Sequence, residues 1–206
     1  MTKVILKYFA LMSFLTMLCS TVSAQTESLG KAQLSREVRT LIHHNHVVSF
    51  TPFDLEADGD SDALLVLEKA ADKTNATGFT QRRLFILERD AKGVLRKVAE
   101  NKHIIQCARC GGSKDPFSSD DAFKFGHKWF SVYQESFAGN QHNSTYTFRK
   151  LKDGLWYLVR FENNRTVSTD AGVDLVSHIK NYPKDFSKIR FERFKPDVFA
   201  KRYHLN

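Results

Sequence analysis

Asp54, Glu56, Asp58, Asp60 and Asp62 put a carboxylate at every second position of Asp-Leu-Glu-Ala-Asp-Gly-Asp-Ser-Asp, with Gly59 among them. This spacing lets one tight turn direct several hard oxygens at a single point, as Ca2+ requires with its six to eight oxygen ligands. Asp54, Glu56 and Asp58 take the first, third and fifth places, and Gly59 stands where the chain turns sharply. Asp60 can offer its carbonyl, and Asp62 takes the ninth place. Carboxylates this dense repel one another unless a cation or solvent screens them, so Ca2+ is the expected cofactor. A helix–loop–helix calcium site would carry a glutamate at the twelfth place. Leu65 stands there instead, and Ala63-Leu64-Leu65-Val66-Leu67 reads as a buried strand.

A second constellation is Cys107-Ala108-Arg109-Cys110-Gly111-Gly112. As half of a zinc knuckle the pair needs two more ligands, which His103, His127 or His142 could supply only through folding. As a redox pair it should open a helix that stabilises a thiolate, whereas Gly111-Gly112 follows and opposes helix formation. A structural disulfide suits an oxidising compartment and leads the three readings. In such a short loop its entropic contribution is only about 2 kcal/mol.

The compartment is indicated by the N-terminus. Lys3 and Lys7 precede an apolar run from Tyr8 to Leu18, and Val22-Ser23-Ala24 forms a small-residue cleavage site. Residues 1–24 are expected to be a signal peptide, and 25–206 a single β-rich domain in the periplasm or outside the cell. The apolar run is too short and interrupted for a membrane span, so no stable membrane insertion is expected. Cys19 follows Leu18 rather than a small residue, which favours soluble export over lipid anchoring. Loss of Lys3 and Lys7 with the leader lowers the formal charge from +8 to +6. That balance suits anionic surroundings as well as simple solubility.

Other constellations are weaker. His43, His44 and His46 follow a helical pattern, where cationic rings interact favourably with the helix C-terminus. Ser118-Ser119-Asp120-Asp121 and His127 hold the residue types of a triad without the flanking glycines of a nucleophile elbow. The tail from Lys180 to Arg202 interleaves cations with Tyr182, Phe186, Phe191, Phe194 and Phe199. Asp185, Glu192 and Asp197 interrupt it, so it reads as an amphipathic strand, with no nucleic acid as partner.

Around these residues the pattern is mainly β, α+β in detail. Lys31 to His44 carries Leu34, Val38, Leu41 and Ile42 at helical spacing and predicts one N-terminal amphipathic helix. Leu84–Arg89 and Val94–Ala99 flank Asp90-Ala91-Lys92-Gly93, a hairpin signature. Ser144–Leu151 and Leu155–Phe161 repeat it across Lys152-Asp153-Gly154, and Lys128–Gln134 reads as another strand. A strand over Lys188–Phe194 is expected to close the domain. These antiparallel hairpins would form a compact sheet or a partial propeller-like domain, and 17 phenylalanines are ample for its core.

The acidic loop running straight into an apolar strand resembles the D-x-D-x-D-G-x-x-D turn of FG-GAP (integrin-type) repeats, over roughly residues 47–70. Glu56 departs from that pattern. The mature chain as a whole resembles a group of uncharacterised small secreted bacterial proteins that combine an FG-GAP-like loop with a C-x-x-C-G-G segment. The matching stretches are 54–67, Cys107–Gly112 with Asp115-Pro116-Phe117, and Trp156-Tyr157-Leu158. The resemblance implies export and architecture without an activity. The leading expectation is a calcium-stabilised, non-enzymatic binding or interaction module of the bacterial envelope, its partner a protein or an anionic envelope polymer. The alternative is a periplasmic thiol-disulfide enzyme using Cys107 and Cys110, or a hydrolytic enzyme whose site forms only on folding.

Overall fold

The apolar run Ala63–Leu67 is buried at every position, because the strand that contains it is covered on both faces. The computed structural model describes residues 29, 32–56, 58–69, 80–117, 121–136, 142–170 and 172–205. The expected signal peptide, residues 1–24, lies outside the described residues, as do Ser118, Ser119 and Asp120. A first antiparallel sheet runs β1 (Asn45–Phe53), β2 (Asp62–Lys69), β3 (Arg82–Arg89) and β4 (Leu95–Asn101). A second runs β5 (Phe123–Gly126), β6 (Trp129–Ser136), β7 (His142–Lys150), β8 (Trp156–Thr169) and β9 (Gly172–Asn181). Neighbours in each sheet are consecutive in sequence, so each is a simple meander. The mainly β, antiparallel architecture expected from the hairpin signatures is the one observed. Gly93 and Gly154 supply the positive φ, +75° in both cases, that the β3–β4 and β7–β8 turns need.

The period-2 alternation of β2 and β3 divides their side chains between two cores. Ala63, Leu65, Leu67, Phe85 and Leu87 face helix α1 (Arg36–His43) together with Val38, Phe50 and Leu95. Leu64, Val66, Leu84 and Ile86 join Phe130, Val132, Phe148, Trp156 and Leu158 of the second sheet in a larger cluster. Burying each large apolar side chain contributes about 1.5–3 kcal/mol.

Helix α1 is shorter than the predicted span from Lys31 to His44. Ser35 caps it, its hydroxyl accepting from the Val38 N–H. The chain before it is drawn into extended pairing instead: Ser35 N donates to Leu95 O and Leu95 N to Gln33 O. Leu34 therefore bridges to Leu95 instead of riding on the helix.

The predicted closing strand at Lys188–Phe194 is not formed. Arg190 makes one isolated bridge to Tyr157, Phe191–Arg193 is a single 3-10 turn, and helix α2 follows over Pro196–Arg202. Phe191 and Phe194 both enter the inter-sheet core, packing on Phe148 with ring centroids 5.1 and 5.7 Å away. Three residues apart in a strand they would point to opposite faces, whereas a 3-10 turn brings i and i+3 to one side. Pro196 sits in the first turn of α2, where its missing N–H costs nothing. The Asn101 side chain secures the segment, its amide donating to Phe191 O and Phe194 O while its Oδ1 accepts from His103 N and Ile104 N.

Candidate functional site

Among the described residues, three places stand out for their chemistry. The acidic loop joins β1 to β2 and is pinned to both sheets. Leu55 is buried in the inter-sheet core, and its carbonyl accepts from Lys128 N at 2.7 Å, in the turn between β5 and β6. Glu56 accepts from Lys150 Nζ at 2.7 Å, and the same ammonium reaches Glu88 at 2.9 Å. Burial alone would lower the Lys150 pKa, and the two carboxylates more than offset it, so the ammonium is raised above its ordinary value. Trp156 Nε1 also donates to Glu88.

Asp54 accepts from Asp58 N and Gly59 N at 3.3 and 3.0 Å, and Asp58 from Asp60 N at 3.0 Å, while Gly59 takes φ +89°. Asp62 is buried and accepts from Arg89 N at 2.9 Å. Burial pushes the Asp62 carboxyl up to about 6, against backbone hydrogen bonds from Arg89 and Leu55 that lower it, and the charges of Glu88 and Asp58 push the same way as burial. A divalent cation would relieve that penalty, and Asp54, Asp58 and Asp60 lie exposed on the same loop. Glu56, committed to Lys150, fits a ligand set less well. Among the described residues no three such side chains are gathered closely enough to hold a metal.

The second place is the loop after β4. Cys107 and Cys110 are joined by a disulfide across a turn in which Cys110 N donates to Cys107 O. The pairing takes up both thiols the zinc-knuckle reading needed. Cys107 is buried, and no helix opens at either cysteine. Pro116 lies so close to Gly111 that a Cβ there would come within 2.4 Å of its ring. Polar clamps fix the loop at both ends. Gln134 of β6 accepts from Gln106 N and donates to Ile104 O, at 2.8 and 2.6 Å. Arg82, 4 % exposed, binds Glu68 through Nε at 2.8 Å and Asp115 through both terminal nitrogens at 2.7 and 2.6 Å. His103 and His127 lie exposed, and His43 and His44 stack at the end of α1 with ring centroids 4.9 Å apart.

The third place is a groove between the segment after β9 and α2, with a volume of about 180 Å³. Ile189, Phe194, Val198 and Phe199 form its apolar floor, and Arg193, Lys195 and Arg202 stand around it. All three cations are exposed, as is Val198. The interleaving of Lys and Arg with Phe in the tail was the visible signal for this groove. Reading the tail as a strand hid it, because only the 3-10 turn followed by α2 puts positions 193, 195 and 202 around one opening. Neither Arg82 nor Asp115 could be paired from sequence, since 33 residues separate them. No protein family, curated protein or solved structure matches the chain.

Proposed function

We propose that the chain is an exported, calcium-stabilised, non-enzymatic binding module of the bacterial envelope, and that it takes an anionic envelope polymer in the groove beside α2. The observation that carries this reading is the set of three exposed cations around an apolar floor. Cations over an apolar surface favour a ligand that is both anionic and partly apolar. A volume of about 180 Å³ is too small for a typical free small-molecule ligand, whose sites run to about 300–1,000 Å³, and suits one repeating unit of a longer chain. The formal charge of +6 that remains without Lys3 and Lys7 has the sign such a partner requires. Buried Cys107 supports a structural role for the disulfide.

Titrating residues 25–206 with soluble polyglycerol phosphate, and with dextran as neutral control, tests the polymer. Binding to the polyanion is expected to weaken steeply between about 0.1 and 1 M salt, as the Debye length falls from about 10 to 3 Å. R193E and R202E together should weaken it by about tenfold or more, which corresponds to about 1.4 kcal/mol. Equal affinity of the variant and the parent chain would sink the groove as the binding site.

Calcium is tested separately by thermal unfolding in EDTA and across a calcium titration. Calcium at about ten times its dissociation constant should add about 1.4 kcal/mol of stability to the parent chain and nothing to D58A. If neither protein responds, the acidic loop is a solvated turn.

A further inference from the structure

We propose that a second copy of the chain pairs antiparallel along β9, joining two five-stranded sheets into one about a two-fold axis through Ser177. This is independent of the polymer reading. Among the described residues β9 is the last strand of its sheet and pairs with β8 alone. Its register with β8 is unbroken from Gly172 to Asn181, with no bulge and no proline. Val173 and Leu175 are each 70 % exposed and Ile179 42 %. A long, regular, apolar edge is a template for another strand, and soluble proteins ordinarily blunt such edges with bulges, prolines or inward charges.

The sequence of β9 indicates which strand fits. Laid antiparallel against itself about Ser177, Leu175 falls opposite Ile179, Asp174 opposite Lys180, Val176 opposite His178 and Val173 opposite Asn181. Each pair occurs twice, as a two-fold interface demands. Odd positions meet odd positions, so Val173, Leu175 and Ile179 of both copies share one face, with a Leu175–Ile179 pair on each side of the central Ser177 pair. Other registers of the same parity lose these matches. About Val176, Leu175 meets Ser177 and Lys180 meets Gly172; about His178, Leu175 meets Asn181 and Asp174 meets Tyr182. Of these three registers, the one centred on Ser177 combines charge complementarity with apolar matching.

Sedimentation of the chain at about 100 µM, a concentration suited to the weak association of small interfaces, tests the proposal. The parent chain is expected to be dimeric. D174K and K180D each place like charges opposite one another and should shift the population to monomer, while the D174K/K180D double variant restores the dimer. Oxidation of S177C should cross-link two copies, because residues directly opposite have Cα atoms about 4.5–5.5 Å apart, within disulfide range. L175C should not cross-link, since its two copies lie four residues apart, roughly 13 Å. A monomeric parent chain, a dimer indifferent to the single charge changes, or cross-linking through L175C in place of S177C would each overturn the interface. All of these positions are on the outer edge strand, and the melting temperature of each variant confirms its folding.

Discussion

Replacing Arg82 by alanine is expected to cost about 3–5 kcal/mol of stability, the range seen when one partner of a buried ion pair is removed. Arg82 is 4 % exposed and is shared between Glu68 of β2 and Asp115 of the disulfide loop. Without it both carboxylates lose the guanidinium they share, and Asp115 loses its two-pronged tie to β3 of the first sheet. Glu68 and Asp115 are 18 and 30 % exposed, so water partly solvates the abandoned charges and the lower end of the range applies. R82K keeps the charge but cannot form the two-pronged contact with Asp115, and should fall between parent and alanine. D115A should be nearly as costly, because it leaves the guanidinium in place with Glu68 as its one remaining carboxylate partner in the pair network. Urea unfolding measures all three. A loss below about 1 kcal/mol for R82A would mean that the cluster behaves as an exposed pair.

Substituting Asp62 by asparagine is expected to raise stability at neutral pH in EDTA, by up to about 3 kcal/mol. The carboxyl sits at about 6 in the folded chain against an ordinary 3.8. At 1.36 kcal/mol per unit, that difference amounts to about 3 kcal/mol. The native state holds the proton more tightly than the unfolded chain between these values, so stability falls as pH rises from about 4 to about 6 and stays reduced above. Asparagine keeps an oxygen for the Arg89 N–H and carries no charge to desolvate, so D62N should lack that fall. Under the proposed calcium occupancy of the loop the order reverses, because the cation would stabilise the ionised Asp62 of the parent chain and leave D62N behind. Melting curves at pH 5 and 8, each in EDTA and in calcium, give the comparison. Parallel pH profiles for the two proteins would show that burial does not penalise Asp62.

The features legible in the sequence are those whose causes are local. Ala63–Leu67 announced a strand covered on both faces because no polar residue interrupts it, and Asp90–Gly93 and Lys152–Gly154 announced their turns through a glycine that accepts positive φ. The cysteine pair lay three residues apart and closed as a disulfide. The strand β5 is four residues long, too short for any period to register. β9 escaped notice because its apolar residues face outward, where no core rewards their alternation. Phe191 and Phe194 misled in the opposite way, since apolar spacing alone cannot separate a strand from a 3-10 turn this short. Of the acidic loop, the sequence conveyed the turn and the carboxylates. It could not convey that Lys150, 94 residues away, draws Glu56 aside.

The Asn101 clamp has a consequence for the order of events during biogenesis. Its partners at Phe191 and Phe194 lie 90 and 93 residues further along the chain. Phe186, Phe191, Phe194, Phe199 and Leu205 all belong to the inter-sheet core, so both meanders must wait, with their inner faces wet, until this late segment has been synthesised. Contacts so distant in sequence close slowly, and an unfilled aromatic cleft invites aggregation in the interval. A chain stopped before Phe186 should therefore emerge as a substrate for chaperones and proteases rather than as a smaller working module.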